Sequence, residues 1–385
     1  MLNSHKNARN TVHTLKSKKC SDLAVNALNR NLNIPINGKL SQKTLFQTIT
    51  GMSVNRLSIH SIGNVVQKVP CETSIRHHLS KLDLSTLECA NSQILTYAAD
   101  SFLKKGKKYQ FAIDLTNDPY YGKIDNTNID YVIRSRPKKS TTYFYSYVSL
   151  YIIRKRERMT LAVFPVKKGV KMVEYVKICM EAIQQLDINV EVLCLDRGFY
   201  SKDVFAFLQD EGIPHIVPVK KHSVEMKTLL NGKKARFAQY TMKGKGKPLE
   251  INIAIDVHYQ QGKMGKYGNV NLGYVIHGLN WTTRRIYNTY KTRFAIEASY
   301  RIRNSVKCKT SSRNVVIRYL YAIISLLLKN IWVVLQRIYF SPVKRGPRTI
   351  EEDLFRFDQF RMLVWEGIRK VLRPVTEIPV LRSSV

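Results

Sequence analysis

Tyr109-Gln-Phe-Ala-Ile-Asp114 and Val190-Glu-Val-Leu-Cys-Leu-Asp196 are two apolar runs that each end on an aspartate. Short apolar runs bounded by polar residues predict strands buried on both faces, as in parallel sheets. The flanking sequence predicts the order β-β-β-α-β-α-β. The first strand is Lys108 to Leu115. The second is Thr142 to Arg154, and the charged turn Arg154-Lys-Arg-Glu-Arg158 joins it to the third, Met159 to Val166. Lys171 to Leu186 carries Met172, Val176, Cys179, Ile183 and Leu186 at helical spacing. Val190 to Leu195 is the fourth strand. Ser201 caps a helix running to Asp210, and Pro214 to Val219 is a further strand.

That order resembles the ribonuclease-H-like fold, an α/β architecture in which the first and fourth strands are neighbours. Their carboxyl ends form a crevice of the kind where α/β sheets hold ligands. Asp114 and Asp196 fall at those two ends.

Four regions follow. Residues 1–105 are helical, residues 106–220 form the first part of the core, residues 221–280 are a β-rich insertion, and residues 281–385 complete the core and end in helices. In the insertion, Lys243-Gly-Lys-Gly-Lys247 and Gly262-Lys-Met-Gly-Lys266 separate strand-like runs at Leu249–Tyr259 and Asn269–Ile276. In the last region Pro342 and Pro347 break the helical pattern, and Tyr319 to Leu328 reads as a buried helix too short to span a bilayer. In the first, a helix over Ser58–Val66, a breaker at Gln67–Thr73 and a basic helix over Ser74–Leu82 outline a helix-turn-helix. His77 and His78 lie on its second helix, where they reach phosphate or simply line a solvated face.

The 385 residues include 63 Lys and Arg against 28 Asp and Glu, a formal charge of +35. Such a balance speaks about partners, not fold, and double-stranded DNA is the first candidate. Six cysteines without a C-x-x-C pair argue against a disulfide framework or a zinc site. They predict a reducing, cytoplasmic setting, and the N-terminus lacks the apolar segment of a signal peptide. Arg134-Ser-Arg-Pro-Lys-Lys139 reads as a flexible DNA-gripping loop. Tyr143-Phe-Tyr-Ser-Tyr147 after it either stacks on bases or supplies core.

Clustered acids in so basic a chain need a chemical reason. Phosphodiester cleavage builds charge on the attacking and leaving oxygens, and two Mg²⁺ (or Mn²⁺) ions about 4 Å apart stabilise both. Mg²⁺ is held by few protein carboxylates together with water and phosphate. A third acid, Glu297, lies on a helical stretch where Tyr290, Arg293, Glu297, Arg301 and Asn304 share a face. That face is either a metal edge flanked by phosphate binders or a solvated row of ion pairs. Asp256, ending Ile251-Asn-Ile-Ala-Ile-Asp256, rivals Asp196 by strand context alone, and Asp118 is expected to shape the turn before Pro119.

Asp114-Leu-Thr-Asn-Asp-Pro-Tyr-Tyr-Gly122, Leu195-Asp-Arg-Gly-Phe-Tyr-Ser201 and Tyr290-x2-Arg293-x3-Glu297 together resemble the three catalytic motifs of DDE transposases from prokaryotic insertion sequences. The match is to the group with a β-rich insertion and a Y-x2-R-x3-E-x6-K signature. The resemblance implies that Asp114, Asp196 and Glu297 bind two metal ions and cut DNA at inverted-repeat ends. The freed 3′-hydroxyl can form a hairpin on the flanking strand, which is then reopened, and the final step joins the 3′-hydroxyl to target DNA; the symmetry of two element ends suggests a homodimer on DNA. It also implies that Tyr290 and Arg293 contact the DNA backbone, with Arg197 beside the second aspartate. The chain departs from the signature at its last position, where Asn304 replaces the lysine. Arg301 or Lys307 then substitutes, or the chain is a decayed or domesticated transposase that binds DNA without cutting it.

Overall fold

The computed structural model describes residues 14–378, except 39, 100–102, 154–157, 245, 260–267 and 342–348. The charged turn at 154–158, the Gly262–Lys266 turn and Pro342 and Pro347 therefore lie wholly or mainly outside the described residues. Five helices come first: α1 (Ser17–Asn31), α2 (Gln42–Asn55), α3 (Ile59–Val65), α4 (Glu72–Leu79) and α5 (Leu84–Thr96). Ser41, Ser58 and Asp83 accept backbone N–H groups at the starts of α2, α3 and α5, as short polar side chains do at helix N-termini. In α4, His78 is buried and Arg76 pairs with Glu72, while His77 is exposed.

The strands follow as β1 (Lys108–Pro119), β2 (Val132–Lys138), β3 (Thr141–Ile152) and β4 (Met159–Pro165). After α6 (Met172–Gln185) come β5 (Asn189–Leu195), α7 (Lys202–Asp210) and β6 (His215–Pro218). Ser201 caps α7, accepting from Val204 N–H. Next come α8 (Val224–Leu229), β7 (Arg236–Met242), β8 (Leu249–Tyr259) and β9 (Asn269–His277). All nine strands form one mixed sheet in the order β2-β3-β1-β5-β6-β9-β8-β7, and β4 also pairs with β3. β1, β5 and β6 are parallel, and the remaining pairings are antiparallel.

One segment differs from the sequence reading. Arg134–Lys138 is a strand, not a flexible loop. It pairs with the start of β3, and only its tip, Lys139–Ser140, turns. The β-rich stretch adds β9, β8 and β7 to the edge of the main sheet through β6 and so extends it.

Side-chain alternation sorts the sheet into two faces. Phe111, Ile113, Leu193 and Leu195 face α6 and α7, where they meet Val176, Cys179, Val204 and Phe205. Ala112, Val192 and Cys194 face the other way, onto Ile286, Tyr290 and Ile296. Those three lie on α9 (Thr283–Lys291) and α10 (Ala295–Ser305), which a 3₁₀ turn at Thr292–Phe294 joins. The chain then runs through α11 (Val315–Tyr339) and α12 (Phe357–Leu372). By length and composition α11 could cross a membrane, yet it is almost wholly sheathed by protein. The N-terminal helices and α11 and α12 share a single core, with Leu28, Phe46, Ile94, Ile323, Leu327, Phe360 and Ile368 among its members.

The helical core also seals the open edge of the sheet. Asn330 of α11 accepts from Thr160 N–H at 3.0 Å and donates to Thr160 O at 2.6 Å and Leu95 O at 3.0 Å. Asn91 of α5 accepts from Val163 N–H at 2.9 Å, and Tyr319 Oη donates to Val163 O. Unpaired edge groups of β4 are thus satisfied by side chains instead of a further strand. Asn330→Leu is expected to leave Thr160 N–H and two carbonyls unpaired in a buried place and to lower stability by about 2–4 kcal/mol. Urea denaturation checks this, and a loss below about 1 kcal/mol would contradict the sealing role.

Candidate active site

β1 and β5 run in parallel with Ile113 opposite Leu195. Asp196 N–H donates to Ile113 O at 3.2 Å, which stitches the two strands at the point where both aspartates emerge. Even-numbered positions of β1 point toward α9 and α10, so Asp114 and Asp118 share that face with Ala112. Asp196 follows Cys194 onto it. Asp196 also starts a 3₁₀ turn, Arg197–Phe199, accepting from Gly198 N–H at 3.4 Å.

Three polar contacts anchor α10 across this face. Ser299 Oγ is bonded to Tyr151 Oη, Ser149 Oγ to Tyr300 Oη at 2.6 Å, and Arg303 Nη2 donates to Asp118 at 2.6 Å. Asp114 is opposite Ser149 and Ala112 opposite Tyr151, so all three anchors rise from nearby rows of β1 and β3. Burial alone would raise the Asp118 carboxyl, but Arg303 and Lys307 outweigh it and hold it at about 2. Asp118 is therefore a buried anchor within β1, not the turn-shaping residue that the sequence predicts.

Arg293 sits on the 3₁₀ turn between α9 and α10, a kind of break that often marks a functional position in a helix. It is buried. Its Nη1 donates to Asp114 Oδ1 at 2.9 Å, its Nη2 lies 3.6 Å from Asp196 Oδ1, and its Nε donates to Tyr290 Oη at 3.0 Å. Burial pushes the Asp114 carboxyl up to about 6; Arg293 opposes this, while Asp196 and Glu297 add to it. Glu297, in the first turn of α10, is exposed and lines the same cleft of about 880 Å³ as Asp114, Asp196 and Arg293. Among the described residues, no three His, Cys, Asp or Glu side chains are gathered tightly enough to hold a metal ion. A guanidinium bridges the two aspartates instead.

The remaining predicted residues divide. Arg301 and Asn304 are exposed on the cleft wall. Arg197 is exposed on its 3₁₀ turn. Tyr290 is buried behind Arg293 against Tyr274. Lys307 is ion-paired with Asp118. Asp256 is not among the residues lining the cleft. It is buried on β8, with His258 Nε2 at 2.7 Å and Arg284 Nη1 at 3.3 Å. Of the aromatic run, Tyr145 and Tyr147 are core, while Tyr143 is exposed. Sequence reasoning missed Arg303, whose only signal is its place on the same helix as Glu297, nearly two turns further on. It also missed Arg56 and Lys309 on the cleft wall, which carry no local motif.

No family model matches the chain, and no curated protein matches its sequence. Solved structures do match. One is the cryo-EM structure of a piggyBac transposase synaptic complex with hairpin DNA, at a TM-score of 0.54 and 12% identity over 96% of this chain and 84% of that one. The likeness is one of fold, and the chain has a transposase-like fold over nearly its whole length.

Two outcomes are expected. Asp118→Ala would leave Arg303 and Lys307 uncompensated in a buried place and cost about 3–5 kcal/mol, read by urea denaturation; a change within about 1 kcal/mol would remove the anchor. Because the folded Asp114 carboxyl is raised from 3.8 to about 6, the folded state holds a proton there that the unfolded chain has lost. Its contribution to stability is present below the lower value and lost as pH rises through the upper one. Arg293→Gln removes the opposing cation, so the Asp114 titration should move to still higher pH. Carbon-13 carboxyl NMR measures it, and an unchanged titration would show that the guanidinium does not act on Asp114.

Proposed function

We propose that this chain is a metal-dependent DNA transposase built on a ribonuclease-H-like core, acting by cut-and-paste at inverted-repeat ends. The observation that carries the reading is the convergence of Asp114, Asp196 and Glu297 on one cleft, from two parallel strand ends and a facing helix. The fold likeness to a transposase supports it. The donor set fits Mg²⁺ or Mn²⁺ in its chemistry: hard carboxylate oxygens, mutually repelling, that already draw a cation between them. Asp114 and Asp196 would hold the metal with Glu297 closing the site, and for that the guanidinium of Arg293 must give way. Bound there, the metal would supply electrostatic stabilisation of the attacking and leaving oxygens.

The chain's own residues do the rest. Asp114 must lose its proton to act as a ligand, and burial, with Asp196 and Glu297 nearby, opposes that loss as long as no metal is bound. Arg301 and Asn304 present donors to phosphate on the exposed face of α10, and Arg197 does so beside Asp196. Tyr290 Oη accepts from Arg293 Nε in the metal-free state, and the anchors of α10 position Glu297 beside β1. Lys307 is engaged with Asp118, so it does not replace the missing signature lysine; Arg301 is the better substitute. Two element ends imply two copies of the chain on DNA, and the setting we propose is the cytoplasm. Asn304 favours a second reading, a decayed or domesticated transposase that binds DNA without cutting it.

The test is a labelled duplex carrying the gene's own flanking inverted repeat, incubated with Mg²⁺ or Mn²⁺ and run on a denaturing gel. Cleavage at the repeat boundary is expected. Asp114→Ala, Asp196→Ala and Glu297→Ala should each lower it by at least about 10²-fold, with binding retained. Binding without cleavage under both metals would support the second reading.

A further inference from the structure

The cleft that holds the three acids is walled by cations from distant parts of the chain. Arg56, at the C-terminal end of α2, lines it with Lys138 and Lys139 at the β2–β3 tip, Lys309 after α10, and Arg301. All five are exposed, and none has a carboxylate partner among the described residues. Their neighbours are different: Arg303 and Lys307 are neutralised by Asp118, and Arg313 by Asp125. Of the cations that line the cleft, Arg293 and Lys307 are paired with carboxylates, whereas the five exposed ones are not. Five exposed like charges around one opening favour the approach of a polyanion.

Backbone geometry singles out the same place. Five non-glycine residues among those described adopt left-handed φ, and two of them, Arg56 (54°) and Lys139 (53°), line this cleft; a third, Ser140 (61°), adjoins Lys139. Such strain in residues with side chains tends to collect at functional positions. The wall is also braced. Tyr121 Oη donates to Lys139 O at 2.7 Å, and Lys309 N–H donates to Leu57 O at 3.1 Å, tying the end of α2 to the segment after α10.

We propose that Arg56, Lys138, Lys139 and Lys309 form a track for the phosphodiester backbone of duplex DNA, leading into the carboxylates and gripping the duplex without metal. Arg56 and Lys309 form one wall and the β2–β3 tip the other. The track rests on the reading of Asp114, Asp196 and Glu297 as the place of phosphodiester chemistry, since that fixes where the backbone must arrive. Contacts of this kind position the duplex and carry no sequence information.

The experiment measures binding of the full chain to a labelled random duplex of about 40 base pairs, and to the same single strand, in EDTA over a salt series. Arg56→Ala/Lys309→Ala and Lys138→Ala/Lys139→Ala are compared with Lys227→Ala/Lys370→Ala, which removes equal charge elsewhere. Each track pair should bind the duplex about 10-fold or more weaker, with a salt slope smaller by about 1.8 at about 0.9 per phosphate contact. The control should stay within about 2-fold of wild type. Equal thermal unfolding of the variants excludes misfolding. Wild-type slopes in both track pairs, or losses equal to the control's, overturn the track, and a loss confined to the single strand overturns its assignment to duplex. Asp114→Asn, run beside them with Mg²⁺ and the inverted-repeat duplex, keeps the two readings apart. If it still cuts, the catalytic reading falls, whereas EDTA binding reports on the track alone.

Discussion

The position of α10 depends on a buried carboxylate. This helix of eleven residues contributes little apolar surface, chiefly Ile296, and buries Ser299 and Arg303 instead. Apolar packing is non-directional and would tolerate sliding. The pairing of Asp118 with Arg303 is directional, and a slipped helix would bury a charge without its partner. The Tyr151–Ser299 and Ser149–Tyr300 bonds add two further fixed points. Glu297 therefore stands where it does because residues within the next two turns of its helix have single allowed places on β1 and β3.

Charge distribution follows one logic through the molecule. With 28 acids against 63 bases, more than half of the cations have no carboxylate to match them one to one. Among the described residues, two of the three buried acids are matched to buried cations, Asp118 to Arg303 and Asp114 to Arg293. The bridging guanidinium of Arg293 offsets the repulsion between Asp114 and Asp196, although the buried Asp114 still holds its proton more firmly than an exposed aspartate.

How much of this was legible in the sequence depended on the range of the interaction. β1 and β5 could be read directly, because strands covered on both faces are continuous apolar runs and the residue that ends each run is conspicuous. β7 could not, since Arg236–Met242 mixes polar and apolar residues on an edge strand and leaves Phe237 half exposed. β2 was hidden by its Lys and Arg content and by Pro137, which an edge position tolerates. The shared core of the first and last helices was invisible because its contacts join residues some three hundred positions apart, with no local signature. The three acids could be named by motif. That Arg293 and Lys307 turn inward to carboxylates, while Arg301 stays outside, depends on helix rotation and on partners from β1, neither of which spacing alone supplies.

The side-chain closure of β4 bears on how this architecture can be altered. Where one strand merely abuts its neighbours, a lobe can be removed or exchanged and the sheet survives. Here the edge of β4 is completed by Asn91, Asn330 and Tyr319, which belong to the helices. Cutting the helical lobe away would bare a hydrogen-bonding edge ready to pair with another copy. The sheet that carries two of the three acids and the helices around it are thus inherited as a unit: neither can be grafted onto a new companion unless that companion brings amides to the same two places on β4.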